Sequence, residues 1–373
     1  SLYRARDRSD RCSRSYHLLA SQKPQTTLVS FKEVGKSATL SVRIVVIGLG
    51  GWGKNYPRVV EEVDNAELAA VCDLREDRVQ RFVKRYGCAG YTKVEDLVQR
   101  ESFDAAVVAV STPAHASVVQ QLVGHCTHIL VEKPFGASLE EAARMTQLAS
   151  NRETFLMPGL IMRFNPVIER ILGLVGSEEA GEPIMMTATR ISYFPPRTQD
   201  VGVVKDLAIH DIDVARLLFN GEPTAVYCRA GDLTGRGYED HATLVLTFGE
   251  DRTAFVEANW LTPYKIRNLR ITCTRAVLVA NTLTQELRIH NERGVHIPSF
   301  RWFEPLRREV EYLVEAVQKN QPPKPSARDG LVLHLITDAA LQSAREGRVV
   351  ALDVPRLLEK LGYSSREALD LQK

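Results

Sequence analysis

Gly48, Gly50 and Gly53 occupy the first, third and sixth positions of a turn that follows the β-branched run Arg43-Ile-Val-Val-Ile and leads into a helix-like segment. A turn of this spacing can hold a diphosphate. Gly48 permits the tight turn, Gly50 lets the backbone approach the phosphates, and Gly53 lets the helix lie close to the strand. Gly51 and Trp52 complete the turn, and the N–H groups at the helix start would face the anion. A second apolar run, Leu68-Ala-Ala-Val-Cys72, ends in Asp73, twenty positions after Gly53. A carboxylate there accepts hydrogen bonds from both adenosine ribose hydroxyls, so NAD is the expected cofactor. Arg75 could neutralise a 2′-phosphate and makes NADP the second choice. The plainer alternatives are a glycine-rich turn without a ligand and an acid that caps the helix starting near Glu76. Strand, turn, helix, strand and acid in this order favour the dinucleotide. Pro57 falls inside the expected helix and is predicted to distort its second turn.

The run Asp104-Ala-Ala-Val-Val-Ala-Val110 reads as a buried parallel strand and ends in Ser111-Thr112-Pro113-Ala-His115. A loop at the carboxyl end of a central strand lies at the ligand crevice of a doubly wound sheet, where Ser111 and Thr112 can face the nicotinamide half. The next strand, His128-Ile-Leu-Val-Glu132, runs straight into Lys133-Pro134, which places a lysine to meet the reacting carbon. Glycine turn, Asp73, Ser-Thr-Pro-x-His and Glu132-Lys133-Pro134, in that order, resemble the glucose-fructose oxidoreductase and inositol dehydrogenase family, Gfo/Idh/MocA. The resemblance runs from about residue 42 to 350. It implies an NAD(P)-dependent dehydrogenase acting on a CH–OH group, with a Rossmann domain joined to an α/β domain whose open sheet carries substrate and often oligomer contacts. It places Gly48, Gly50, Gly51, Trp52, Gly53, Asp73, Arg75, Ser111, Thr112, Pro113, His115, Glu132 and Lys133 on the cofactor side.

The family's other diagnostic segment is matched by Lys205-Asp206-Leu-Ala-Ile-His210-Asp-Ile-Asp213. Its apolar spacing is helical, which sets Asp206, His210 and Asp213 on one face at i, i+4 and i+7. Taken in isolation, a capping Asp and a surface His would explain the same letters. Ala208 stands where many members have Gly. The resemblance implies that Lys133, Asp206 and His210 form the catalytic set. Oxidising an alcohol removes a hydride from carbon and a proton from oxygen, and an imidazole, which titrates near 6.5, suits the base. Lys133 would donate to the hydroxyl and stabilise developing alkoxide charge. Asp206 would position the sugar and tune both partners.

Met162-Arg-Phe-Asn-Pro166, Tyr193-Phe-Pro-Pro-Arg197, Asp200 to Val204 and Trp260 to Arg267 resemble the branch acting on UDP-linked N-acetyl sugars. That likeness suggests oxidation at C3 of a UDP-N-acetylhexosamine. A diphosphate substrate wants cations, and Arg163, Arg197, Lys265 and Arg267 are the candidates. Solvated loop and strand charges are the competing reading. Asn165 could bind the acetamido group or stabilise the turn before Pro166. A free monosaccharide or an inositol is the alternative substrate, and a cofactor-sensing protein without turnover is the alternative from another class.

The elements that must position these residues follow from pattern and length. The 373 residues, 44% hydrophobic and 25% charged, suit two domains. We expect a Rossmann domain over 41–150, with a doubly wound parallel sheet, and a substrate and oligomerisation α/β domain over 151–373. In the latter, a strand is expected near Pro183 to Tyr193, and from Ala225 to His290 a meander with strands over Ala242 to Phe248, Thr253 to Val256, Leu269 to Thr272, Val277 to Ala280 and Leu287 to His290 should form an open, largely antiparallel sheet. Its uncovered face predicts a homo-oligomer, a dimer or tetramer. Arg307 to Glu311 reads as a solvated helix face. Residues 1–40 hold eight Lys or Arg against three acids, so the other 333 residues carry −3 of the chain's net +2. This basic segment is expected to be disordered. Its composition resembles a transit peptide, yet Asp7, Asp10 and the missing amphipathic face argue against one. No nucleic-acid or membrane partner is expected. Six scattered cysteines suit reduced thiols in the cytoplasm. His125-Cys126-Thr127-His128 is not read as a metal site.

Overall fold

The computed structural model describes residues 41–194 and 200–362. The basic segment 1–40 and the predicted phosphate contact Arg197 lie outside the described residues.

The first half alternates strand and helix: β1 Val42–Ile47, α1 Tyr56–Glu62, β2 Ala66–Cys72, α2 Glu76–Tyr86, β3 Ala89–Tyr91, α3 Val94–Arg100, β4 Ala105–Val108, α4 His115–Leu122, β5 His128–Val131, α5 Leu139–Ser150 and β6 Phe155–Pro158. The strands form a parallel sheet in the order β3-β2-β1-β4-β5-β6. The order reverses between β1 and β4, which opens the ligand crevice at their carboxyl ends. The sixth strand, Phe155–Pro158, follows Asn151, the position at which the second domain is expected to begin.

The second half runs α6 Pro166–Leu174, β7 Pro183–Tyr193, α7 Ile209–Leu218, β8 Ala225–Gly231, β9 His241–Phe248, β10 Arg252–Asn259, β11 Leu261–Cys273, β12 Ala276–Asn281, β13 Glu286–Asn291, β14 Gly294–His296, α8 Pro305–Lys319, α9 Ala327–Glu346, β15 Val350–Ala351 and α10 Val354–Lys360. Its nine strands take the order β14-β13-β12-β11-β7-β10-β9-β8-β15, with β7 and β10 parallel and the remaining pairs antiparallel. Burial alternates along β9 and β10, so one face packs inward and the other stays open. Two predicted parts, a parallel Rossmann sheet and an open, mostly antiparallel sheet, are thus present.

Two apolar cores hold these layers. Val42, Ile44 and Val46 of β1 pack against Tyr56, Val59 and Val60 of α1 and against Leu306, Val310 and Leu313 of α8. Helix α8 therefore returns from late in the chain to cover the parallel sheet. A second core runs from Val45, Ile47 and Val108 through Leu331 and Leu335 of α9 to Leu244, Val256 and Ile271 of the nine-stranded sheet. Burying this continuous apolar surface fixes the two sheets as one body.

Pro57 does not distort a helix. A short 3-10 turn, Gly53–Asn55, precedes α1, and Pro57 falls in the first turn of α1, where its missing N–H costs nothing.

Candidate active site

The glycine turn has the geometry a diphosphate needs. Gly48 adopts φ +94°, and a Cβ there would lie 2.5 Å from the Ala109 carbonyl oxygen. A Cβ on Gly53 would strike the Gly48 carbonyl at 2.0 Å. Beside Gly50, by contrast, a Cβ would meet only the Arg78 guanidinium at 3.9 Å. The turn is closed on its strand side and open on the side where phosphates would sit, so the residues present fit a dinucleotide.

Asp73 ends β2 against this turn. Its Oδ2 accepts the Leu49 N–H at 2.7 Å, and its Oδ1 accepts the Arg75 N–H at 2.9 Å. The cation beside it is Arg78, whose Nη1 lies 3.3 Å from Oδ2. The Arg75 guanidinium turns to Asp77 at 2.9 Å in open solvent, while its backbone N–H stays on Asp73. Arg78 lies one helical turn further on, and its i+5 offset from Asp73 was the signal available for it.

At the other end of the crevice, Ser111 is exposed at the start of a 3-10 turn spanning Thr112–Ala114, with Pro113 in its first turn. The Thr112 N–H is taken by Asp200 Oδ2 at 3.1 Å, a bridge from the second half of the chain that sequence did not reveal. His115 follows on the first position of α4. It is 1% exposed, and its Nδ1 and Nε2 lie 3.1 Å and 3.3 Å from the Pro134 and Val110 carbonyl oxygens. It fastens the two crevice loops together, and burial pushes its ring below the usual imidazole range.

Lys133 projects from the end of β5 to the second half of the chain. Its Nζ donates to Asp206 Oδ1 at 2.5 Å and to the Asp206 carbonyl oxygen at 3.0 Å. Asp206 is not on the regular α-helix that the spacing predicted. It sits in a π-helical turn, Val204–Ala208, that precedes α7. The widened turn presents both the carboxylate and the carbonyl of one residue to one ammonium, and single π turns of this kind recur at functional positions. His210 follows on the first turn of α7 and is 9% exposed. Asp213 is engaged within the protein: it accepts a two-pronged contact from Arg163 and a further bond from Arg216.

Those contacts also correct the predicted substrate cations. Arg163 donates to both Asp213 oxygens at 2.7 Å and to Asp329 Oδ1 at 2.8 Å, inside a buried lattice that adds Arg216, Glu222 and Arg328. Burial works to raise the Asp329 pKa, but the guanidinium groups of Arg163 and Arg216 outweigh it and hold the carboxyl well below the ordinary carboxylate range. Asn165 is structural too: its Oδ1 caps α6 at the Val167 N–H, and its Nδ2 donates to the Thr282 carbonyl at 3.0 Å. Lys265 is exposed on β11. Arg267 is buried, donates to the Ile191 and Ile266 carbonyls, and makes no ion pair with a carboxylate among the described residues. Burial, reinforced by Arg190, lowers its pKa to about 10, while Asp211 and Asp206 act against that shift.

Glu132 lies beside Lys133 at the end of β5. Its carboxylate faces inward, where Oε1 accepts the Tyr56 hydroxyl at 2.6 Å and Oε2 accepts the Lys133 N–H at 3.1 Å. Glu309 joins them. It is 0% exposed rather than part of a solvated face, because it lies at i+3 from Leu306 and i−4 from Leu313 on the apolar stripe of α8.

Comparison with known proteins decides the family. Residues 42–160 match the model of the GFO/IDH/MocA oxidoreductase family with NAD-binding Rossmann fold, and residues 168–279 match the GFO/IDH/MocA C-terminal domain. The chain belongs to the Gfo/Idh/MocA family. This member is 27% identical over 323 residues to D-xylose 1-dehydrogenase (NADP(+)) 2 of Haloferax volcanii, covering 83% of this chain and 99% of that enzyme. It is 25% identical to myo-inositol 2-dehydrogenase of Thermotoga maritima, covering 84% and 99%. A solved UDP-N-acetylglucosamine 3-dehydrogenase from Acidithiobacillus ferrooxidans superposes with a TM-score of 0.73 at 26% identity, over 82% and 97% of the two chains. The chain is accordingly an NAD(P)-dependent dehydrogenase acting on a CH–OH group.

Proposed function

We propose that this Gfo/Idh/MocA dehydrogenase oxidises a secondary hydroxyl of a sugar that carries an anionic substituent, with a UDP-linked N-acetylhexosamine oxidised at C3 as the leading candidate. The observation that carries the reading is the reach of Lys133, at the end of β5, to Asp206, in the π turn before α7, at the open end of a dinucleotide crevice. Bound NAD(P) supplies the hydride acceptor. Lys133 donates to the substrate hydroxyl and stabilises charge building on its oxygen, and His210 takes the hydroxyl proton. Asp206 holds the ammonium in place through its carboxylate and its carbonyl oxygen.

The anionic substituent is supported by Arg267, a buried guanidinium that donates to two carbonyl oxygens and makes no ion pair with a carboxylate among the described residues. A phosphate or carboxylate oxygen would complete its donor set. A free monosaccharide or inositol is the second reading. It is favoured by the engagement of Arg163 and Asn165 within the protein, which removes two of the expected nucleotide contacts. Asp73 supports NAD over NADP, since a 2′-phosphate would meet its carboxylate. Incubating the protein with NAD or NADP and a panel of UDP-sugars, sugar acids, free sugars and inositols, while following reduced-cofactor absorbance, tests all of this. Turnover confined to uncharged substrates would overturn the anionic reading.

Ile184, Phe255, Tyr264 and Val295 are exposed on strands of the nine-stranded sheet, and Ile297 just past its edge strand. Apolar surface of this extent supports a homo-oligomer. Light scattering should give a mass that is a multiple of the 41.7 kDa chain; a monomer at micromolar concentration would refute it.

A further inference from the structure

Tyr56, Glu132 and Glu309 form a closed polar group behind the lysine, built from three elements far apart in sequence. Tyr56 and Glu309 are 0% exposed. The Tyr56 oxygen lies 2.6 Å from Glu132 Oε1 and 3.4 Å from Glu309 Oε2, and Trp52 of the glycine turn hydrogen-bonds into the same group. Glu309 Oε1 has no hydrogen-bond partner among the described residues. A phenol has one proton to give. The shorter contact assigns it to Glu132, so the Glu309 contact is attractive only when Glu309 supplies a proton of its own. The charged group acting on Glu309 is Glu132, with the neutral phenol of Tyr56 between them, and the ammonium of Lys133, which acts on Glu132, is paired with Asp206. An ionised Glu309 would therefore be a buried charge without a counter-ion, a costly state.

We propose that Glu309 is a positioning residue that stays protonated at neutral pH and donates to the Tyr56 oxygen, committing the Tyr56 proton to Glu132 and fixing Glu132 as the ionised acceptor for the Lys133 amide. The hydrogen-bonded chain then runs Glu309 O–H to Tyr56 O–H to Glu132 carboxylate, and it sets the exit of β5 from which the lysine projects. Burial pushes Glu309 well above the carboxylate range, and the neighbouring charge of Glu132 adds to the rise. Tyr56 is raised by the same burial and the same two acids. Through Trp52 and α1, the group also joins the diphosphate turn to the catalytic strand end. The inference about Lys133 rests on the function proposed above; the protonation of Glu309 does not.

The test has two arms on the full chain. Infrared spectra in D2O at pH 7 should show a protonated-carboxyl carbonyl band that is lost in Glu309→Gln, and an unchanged band in that variant would overturn the proposal whatever the substrate. In turnover, Glu309→Gln, which keeps the donor, should hold kcat and its pH profile. Glu309→Leu, which keeps volume without a donor, should lower kcat about five- to tenfold, the worth of roughly one hydrogen bond, with cofactor KM unchanged and the acid limb moved to higher pH. Equal losses in the Gln and Leu variants would overturn the positioning role. Tyr56→Phe breaks the same chain at its middle and should reproduce the Leu phenotype; a normal pH profile there would count against the proposal equally.

Discussion

Lys133 Nζ and Asp206 Oδ1 lie 2.5 Å apart, and the same ammonium reaches the Asp206 carbonyl oxygen at 3.0 Å. The pair is 73 residues apart in sequence and joins the end of β5 to the π turn before α7. Its side chains are 14% and 5% exposed, so the interaction is only weakly screened by water. Asp206→Asn keeps the shape and removes the charge that holds the ammonium. We expect kcat to fall by about two to three orders of magnitude, the scale of a lost electrostatic contact in a water-poor site, with cofactor affinity unchanged in a fluorescence titration.

His210 stands on the first turn of α7, after Asp206. His210→Asn should lower kcat/KM by about 10²–10⁴, the usual contribution of a positioned proton acceptor. The acid limb of the wild-type pH profile should vanish in the same variant. Stopped-flow measurement across pH 5–9 checks both, and a retained limb would assign the base elsewhere.

Cofactor choice is expected to follow Asp73 and Arg78 rather than Arg75. Asp73→Ser removes the carboxylate that opposes a 2′-phosphate and leaves Arg78 beside it, so the NADP/NAD ratio of kcat/KM should rise at least about tenfold, a change of roughly 1.4 kcal/mol. Arg75→Ala should leave the ratio unchanged, because that guanidinium is held by Asp77 in solvent.

Arg163 is expected to act on stability instead of substrate binding. Arg163→Met leaves Asp213 and Asp329 short of a buried partner, which typically costs about 3–5 kcal/mol. Urea unfolding should show that loss, while KM for substrate in the surviving folded enzyme stays near the wild-type value.

Acid stability should report on His334. Its Nε2 accepts the Gly136 N–H at 3.1 Å, and burial, with Lys205 nearby, lowers its pKa to about 4. The folded value is depressed below the ordinary 6.5, so the native state binds fewer protons between the two values. The stabilisation is complete above about pH 6.5 and is lost as pH falls through 4, at most roughly 3 kcal/mol in all. His334→Gln, which can still accept the Gly136 N–H, should flatten that slope in urea unfolding measured from pH 7 to 4.

Much of this architecture is legible in local sequence. The glycine turn, Asp73, the all-buried strand before Ser111 and the alternating strands of the second sheet are set by periodicity and turn chemistry, which act over a few residues. The fate of long polar side chains is not. Whether Arg163 meets a phosphate or Asp329 depends on a contact spanning 166 residues, and Asn165 meets Thr282 across 117. The π turn at Asp206 escaped for a different reason: apolar spacing over Leu207, Ile209 and Ile212 is compatible with a regular helix, and the insertion shows only in backbone bonding. Glu309 was within reach, since its place on the apolar stripe of α8 follows from helical spacing alone, but its charge argued for solvent.

The most direct test compares Lys133→Ala and His210→Ala with the wild-type chain in single-turnover reduction of saturating NAD by an accepted substrate. Both variants should bind NAD normally by fluorescence and lose the hydride-transfer step by at least about a hundredfold. Normal turnover by either one, with cofactor bound, would contradict the account.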